Sequence, residues 1–93
     1  MIQSFRCKET ERIFEGGRAK AFAAIRETVE RKLAMLHAAH VLDDLRSPPG
    51  NRLETLKGDR EGQHSIRVND QYRMCFRWTA QGPEDVEVVD YHD

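Results

Sequence analysis

Lys57, Arg60, Arg67 and Arg73 lie close together in the second half of the chain, and Asp90-Tyr91-His92 follows near its end. These residue types suit cleavage of an RNA phosphodiester without a metal. The substrate's own 2′-hydroxyl is the nucleophile; a base removes its proton, cations stabilise the phosphoryl oxygens, and an acid protonates the departing 5′ oxygen. His92 is the best-suited proton carrier, because an unperturbed imidazole titrates near ~6.5. A histidine in that position is otherwise simply solvated. Tyr91 would stack on a base or help carry a proton, or else cover the edge of a core. The four cations suit phosphate by charge, and arginine also by its fork of donors, although any one of them alone is an ordinary surface charge. Glu54 could act as general base if a cation or burial tunes it. Paired with Lys57 or Arg52, it would be only a strand-face carboxylate.

Other motifs carry less. His37 and His40 stand three apart near Asp43 and Asp44, but imidazoles at a helix C-terminus complement its dipole, and no cysteine has ligand spacing. No metal and no cofactor is expected. The glycines at 16–17 and 58–62 do not make a phosphate loop of the Lys-[Ser/Thr] type. Ser65, His92 and Asp90 could form a triad in principle, but no nucleophile elbow accompanies them. Cys7 and Cys75 could pair; without a secretion signal they read as idle thiols of a cytoplasmic protein.

Overall charge sets a limit. The chain has 93 residues, a net charge of −1 and a pI near 6.4, whereas a domain that grips nucleic acid unaided usually has a pI above ~9. The charge is uneven: residues 52–77 carry six cations against four anions, so +2, while residues 78–93 carry five anions and no Lys or Arg, so −5. A basic patch on a mildly acidic body suits a protein delivered to RNA by something else. One domain over residues 1–93 is expected. No window approaches the ~20 apolar residues of a membrane span.

These residues need elements to hold them. Ile2 to Phe5 alternates as an edge strand would, and a short helix over 8–15 should stop at Gly16-Gly17. From Ala19 to about His40, Phe22, Ile25, Val29, Leu33 and Leu36 recur at threes and fours, predicting one long helix with an apolar stripe. The Ser47-Pro48-Pro49-Gly50-Asn51 stretch ends the helical half, and the period then becomes two. Leu53 opens a short strand and residues 57–62 a loop; Ile66 and Val68, then Tyr72, Met74, Phe76 and Trp78, mark two further strands. A three-residue connection at 69–71 pairs Val68 with Tyr72 and Ile66 with Met74, putting the apolar residues on one face. It also sets Arg67 opposite Arg73, an arrangement that destabilises a sheet unless an anion lies between them. After a turn at 81–83, Val86, Val88 and Val89 mark a last strand that carries 90–92 out of the sheet. The class is α+β, with N-terminal helices packed on a small antiparallel sheet. His64 should share a face with Ile66 and pack.

At Leu56-Lys57-Gly58-Asp59-Arg60, Ser65-Ile66-Arg67-Val68-Asn69, Tyr72-Arg73 and Asp90-Tyr91-His92, matching in order and spacing, the chain resembles the HigB toxins of the RelE-like superfamily. The phrase from Arg46 to Leu53, with Gln63-His64-Ser65, looks closest to the GraT-like subgroup. The resemblance implies a compact microbial-ribonuclease-like fold and cleavage of messenger RNA in the decoding site of a translating ribosome. It implies a helix-turn-helix antitoxin as partner, and operator DNA reached only through the joint complex. Carried over, it gives Lys57 and Arg73 to the phosphate, and makes Asp90, Tyr91 and His92 the catalytic end. Where many members have a histidine, this chain has Glu54; positions often held by tryptophan are His64 and Tyr72. Glu54 is therefore the base in a Glu/His division of labour, or the enzyme is attenuated. The rival reading is a catalytically weak module that docks an antitoxin and tunes repression. A metal-dependent hydrolase is a third.

Overall fold

The structure, a computed structural model, describes residues 1–90; the expectations placed on Tyr91 and His92 lie outside the described residues. Helix α1 spans Lys8–Phe14, with Glu9 and Glu11 in its first turn and Arg12 in its last, the order the helix dipole favours. It stops where foreseen, at Gly16, whose φ of +85° places it in the left-handed region that glycine enters most easily. Thr10 and Ile13 are its buried residues.

The long helix predicted from Ala19 is shorter than its periodicity. Residues Lys20–Ile25 form a 3₁₀ stretch, and only Arg26–Ala38 is α-helix α2. The break lies at Phe22, with φ −121° and ψ 20°, whose ring meets Tyr72 edge-on at 5.9 Å. Phe22 is buried, so its packing outweighs the weak local preference for continuing a helix. Within α2 the predicted stripe holds: Val29, Leu33 and Leu36 are each 1% exposed or less. Beyond it, the Asp44 carboxylate accepts the backbone N–H groups of His40 (2.8 Å) and Val41 (3.2 Å). These bonds, larger than any opposing effect, hold its pKa below the ordinary value.

Four antiparallel strands follow in sequential order: β1 (Glu54–Thr55), β2 (Gln63–Arg67), β3 (Tyr72–Thr79) and β4 (Gly82–Asp90). The foreseen register is present, with Ile66 opposite Met74 and Arg67 opposite Arg73. Asn69 and Val68 both donate backbone N–H to the Tyr72 carbonyl (3.1 and 3.0 Å), closing the connection. Ile66, Met74, Phe76, Val86 and Val88 join Val29, Leu33, Leu36 and Ile13 in the core, so the helices cover one face and leave the other open. The architecture is α+β, as expected. One correction concerns the end of β4: Asp90 stays in the sheet, opposite Tyr72, because the antiparallel pairing continues to the first residue of β3.

The N-terminal segment lies along the outer side of β4. Instead of a full edge strand, it makes a single parallel bridge, Phe5 to Val86. Arg6 donates its N–H to the Val86 carbonyl (3.0 Å), Val86 donates to Ser4 (3.1 Å), and the Val88 N–H goes to the Thr10 hydroxyl (3.1 Å). Gly82 makes the approach possible. A Cβ there would run into the Met1 carbonyl, and its φ is +133°. Among the described residues no helix is long and apolar enough to cross a membrane.

Candidate active site

Strand alternation builds the open face. Cross-strand partners point to the same side, so Glu54, Ser65, Cys75 and Glu87 form one row from β1 to β4, with Arg67 and Arg73 in the row beside it. Arg73 is the anchor. It is 9% exposed; Nε donates to Ser65 Oγ at 2.7 Å, and Nη2 donates to the carbonyls of Arg52 (2.6 Å) and Ser65 (3.3 Å). Nη1 stands 4.0 Å from a Glu54 carboxylate oxygen. A buried guanidinium keeps its charge only where acceptors replace water, and here they fix the direction of the fork. Glu54, half exposed beside it, is where a base acting near that cation would stand.

The opposition of Arg67 and Arg73 is real, but the protein meets its cost without an external anion. Arg67 pairs with the Asp70 carboxylate, while Arg73 has the acceptors just named. Lys57 is exposed, directly before the 3₁₀ turn Gly58–Arg60. Among the described residues its ammonium has no hydrogen bond or ion pair. Arg60 does not join Arg73: it turns to the far end of the row, with Nη1 3.0 Å from Gln63 Oε1 and 3.5 Å from Glu87 Oε2. Alternation puts Asp90 on the side of Val86 and Val88, away from Arg73, where Gln71 Nε2 donates to it at 3.0 Å. The sheet therefore gathers Glu54, Arg67 and Arg73, leaves Lys57 free at the margin, and separates Arg60 and Asp90 from them.

Cys75, wholly buried in the middle of the row, lies between the two arginine stations. Burial is the main influence raising its thiol pKa; Arg60 and Arg73 pull it down and Glu87 pushes it up. Both cysteines are free. On the opposite face His64 packs as foreseen, its ring 6.1 Å from that of Phe76 and its Nδ1 3.1 Å from Thr55 Oγ1. Burial lowers its pKa. His37 has a structural use: Nδ1 accepts the Ile2 N–H at 3.1 Å. No group of three or more metal-ligating side chains occurs among the described residues.

Sequence reasoning missed Arg6 and Glu87, and gave Gln63 and Ser65 no contact with an arginine. It also missed Lys32, whose Nζ donates to Asn51 Oδ1 at 2.5 Å. Asn51 is buried and donates in turn to the Leu45 carbonyl at 3.1 Å. Burial, then the charges of Arg31 and Arg67, lower the Lys32 pKa. An asparagine following two prolines and a glycine reads only as a loop; its role appears once α2 is beside it.

A family model described as a RelE-like toxin of the type II toxin–antitoxin system HigB matches residues 3–93. Toxin HigB-1 of Vibrio cholerae is 42% identical over 80 residues, 84% of each chain. Endoribonuclease HigB of Proteus vulgaris is 32% identical over 95 residues, covering 99% of this chain and all of its own. A match across nearly the whole sequence, on the helix-and-sheet scaffold described, places this chain in the HigB-like family of RelE-like type II toxins.

Proposed function

We propose that this chain is a metal-independent endoribonuclease that cuts messenger RNA on the translating ribosome. The carrying observation is Arg73, a buried guanidinium aimed by Ser65 and standing beside Glu54 on the open face. In this reading Arg73, Arg67 and Lys57 hold the phosphate, and His92 with Tyr91 moves the protons. Glu54 takes the 2′-hydroxyl proton if it is the base. The nuclease name of the Proteus vulgaris relative supports the activity.

A net charge of −1 fits a protein that lets the ribosome present its substrate. A cognate helix-turn-helix antitoxin neutralises it, and the pair reaches operator DNA through the antitoxin. The work is done in the cytoplasm as one domain.

A messenger-cleavage assay on translating ribosomes tests this. His92→Ala should slow cleavage by about 10²–10⁴-fold, the usual contribution of a positioned acid or base. Lys57→Ala should slow it by about 10²-fold, in the range for loss of one charge-stabilising donor. The absence of ribosome-dependent cuts from the wild type would favour the rival, a toxin-like module whose main task is docking the antitoxin. Glu54 in place of the family's common histidine is what favours that rival. If Glu54→Gln cuts as fast as wild type, Glu54 is not the base.

A further inference from the structure

At the far end of the row, Arg6, Asp59, Arg60, Gln63 and Glu87 line a polar hollow of about 360 Å³. Its charges cancel, two cations against two carboxylates. That balance argues against a second phosphate, which a net-neutral lining would hold poorly. The hydrogen-bonding groups are more telling. Arg6 (3.6 Å) and Arg60 (3.5 Å) both pair with one oxygen of Glu87, Oε2. The other, Oε1, has no partner among the described residues, and neither has Gln63 Nε2, whose own Oε1 is taken by Arg60. Among the described residues no buried side-chain nitrogen or oxygen lacks a hydrogen bond. Glu87 Oε1 and Gln63 Nε2 are therefore not fully enclosed, although their residues are otherwise largely buried, and both residues line the hollow.

We propose that this hollow is a nucleobase subsite selecting guanine beside the cleaved phosphate, read by Glu87 Oε1 and Gln63 Nε2. The inference rests on the nuclease reading for its substrate. Guanine offers adjacent N1–H and N2–H donors next to the O6 acceptor. A carboxylate oxygen beside an amide donor and two guanidinium groups is the matching set. Adenine and cytosine each present only an exocyclic amine to the carboxylate, and uracil a single N–H between two acceptors. Ser65 and Glu87 are two strand spacings apart through Cys75, about 10 Å. A nucleotide with its phosphate at Arg73 can thus place a neighbouring base in the hollow. Arg6, 59% exposed at its side chain, closes the outer side.

Amide chemical-shift titration of the intact chain tests the idea without requiring cleavage. The probes are guanosine, adenosine, cytidine and uridine 5′-monophosphates, with ribose 5-phosphate as control. Guanosine monophosphate should shift the Gln63, Arg60 and Glu87 resonances at a concentration roughly tenfold or more below the others. Glu87→Gln should remove that advantage. Equal shifts from ribose 5-phosphate would overturn the inference in favour of an anion site, and no shifts at these three residues would overturn it outright. If Glu87→Gln does not fold, the wild-type titration and exposed Arg6→Gln, expected to weaken the guanine shifts, still decide. Cleavage without base discrimination would remove the subsite and leave the nuclease; guanine binding without cleavage would do the reverse.

Discussion

Arg73 carries two burdens at once, and experiments on it must separate them. Its fork holds Ser65 and the Arg52 carbonyl, so it joins β3, β2 and the loop before β1 as well as offering charge to the open face. Arg73→Lys keeps the charge but not the planar fork, and should lower stability in urea by about 1.5–3 kcal/mol, the range for hydrogen bonds to charged groups. Lost cleavage in that variant would mix fold and chemistry. Lys57, exposed and unpaired among the described residues, gives the cleaner result. His64 carries a second prediction at this scale. Burial depresses its folded pKa, so as pH falls the unfolded chain binds the proton first. Its contribution to stability is present above the ordinary imidazole value and is lost as pH falls through the lower folded value. Melting temperatures followed from about pH 7.5 down to about pH 5 should fall less in His64→Gln than in wild type.

At the level of elements, local periodicity made some of the fold legible and hid the rest. The stripe through Val29, Leu33 and Leu36, and the register pairing Ile66 with Met74, follow from spacing alone because helices and strands repeat at fixed periods. Leu36→Ala, at a site with no exposure, should destabilise by about 2–5 kcal/mol in urea unfolding. What spacing did not reveal depends on contacts distant in sequence. Phe22 breaks the helix for the sake of Tyr72, fifty residues later. Arg60 turns to Glu87 rather than to Arg73, and Asn51 is buried by Lys32 from α2. The candidate site was legible to the same degree. Residue types and register found Arg67, Arg73 and Glu54, while the hollow at Glu87 required β4 to be laid beside β3.

For the molecule as a whole, stability rests on packing and hydrogen bonds without a crosslink, since Cys7 and Cys75 are both free. Dithiothreitol should leave the melting temperature unchanged. An alkylating reagent should modify Cys7 first, because Cys75 is buried and its thiolate disfavoured. Gly82→Ala tests the docking of the N-terminal segment: a Cβ there meets the Met1 backbone at a φ no alanine adopts easily. It should destabilise by about 1–3 kcal/mol. The larger consequence concerns association. With Ser4, Arg6 and Thr10 occupying the outer hydrogen-bonding groups of β4, a long strand is withdrawn from templating, and the opposite margin, β1, has only two residues. Copies at high concentration are thereby denied the flat, unpaired border from which fibrils and strand-swapped oligomers grow.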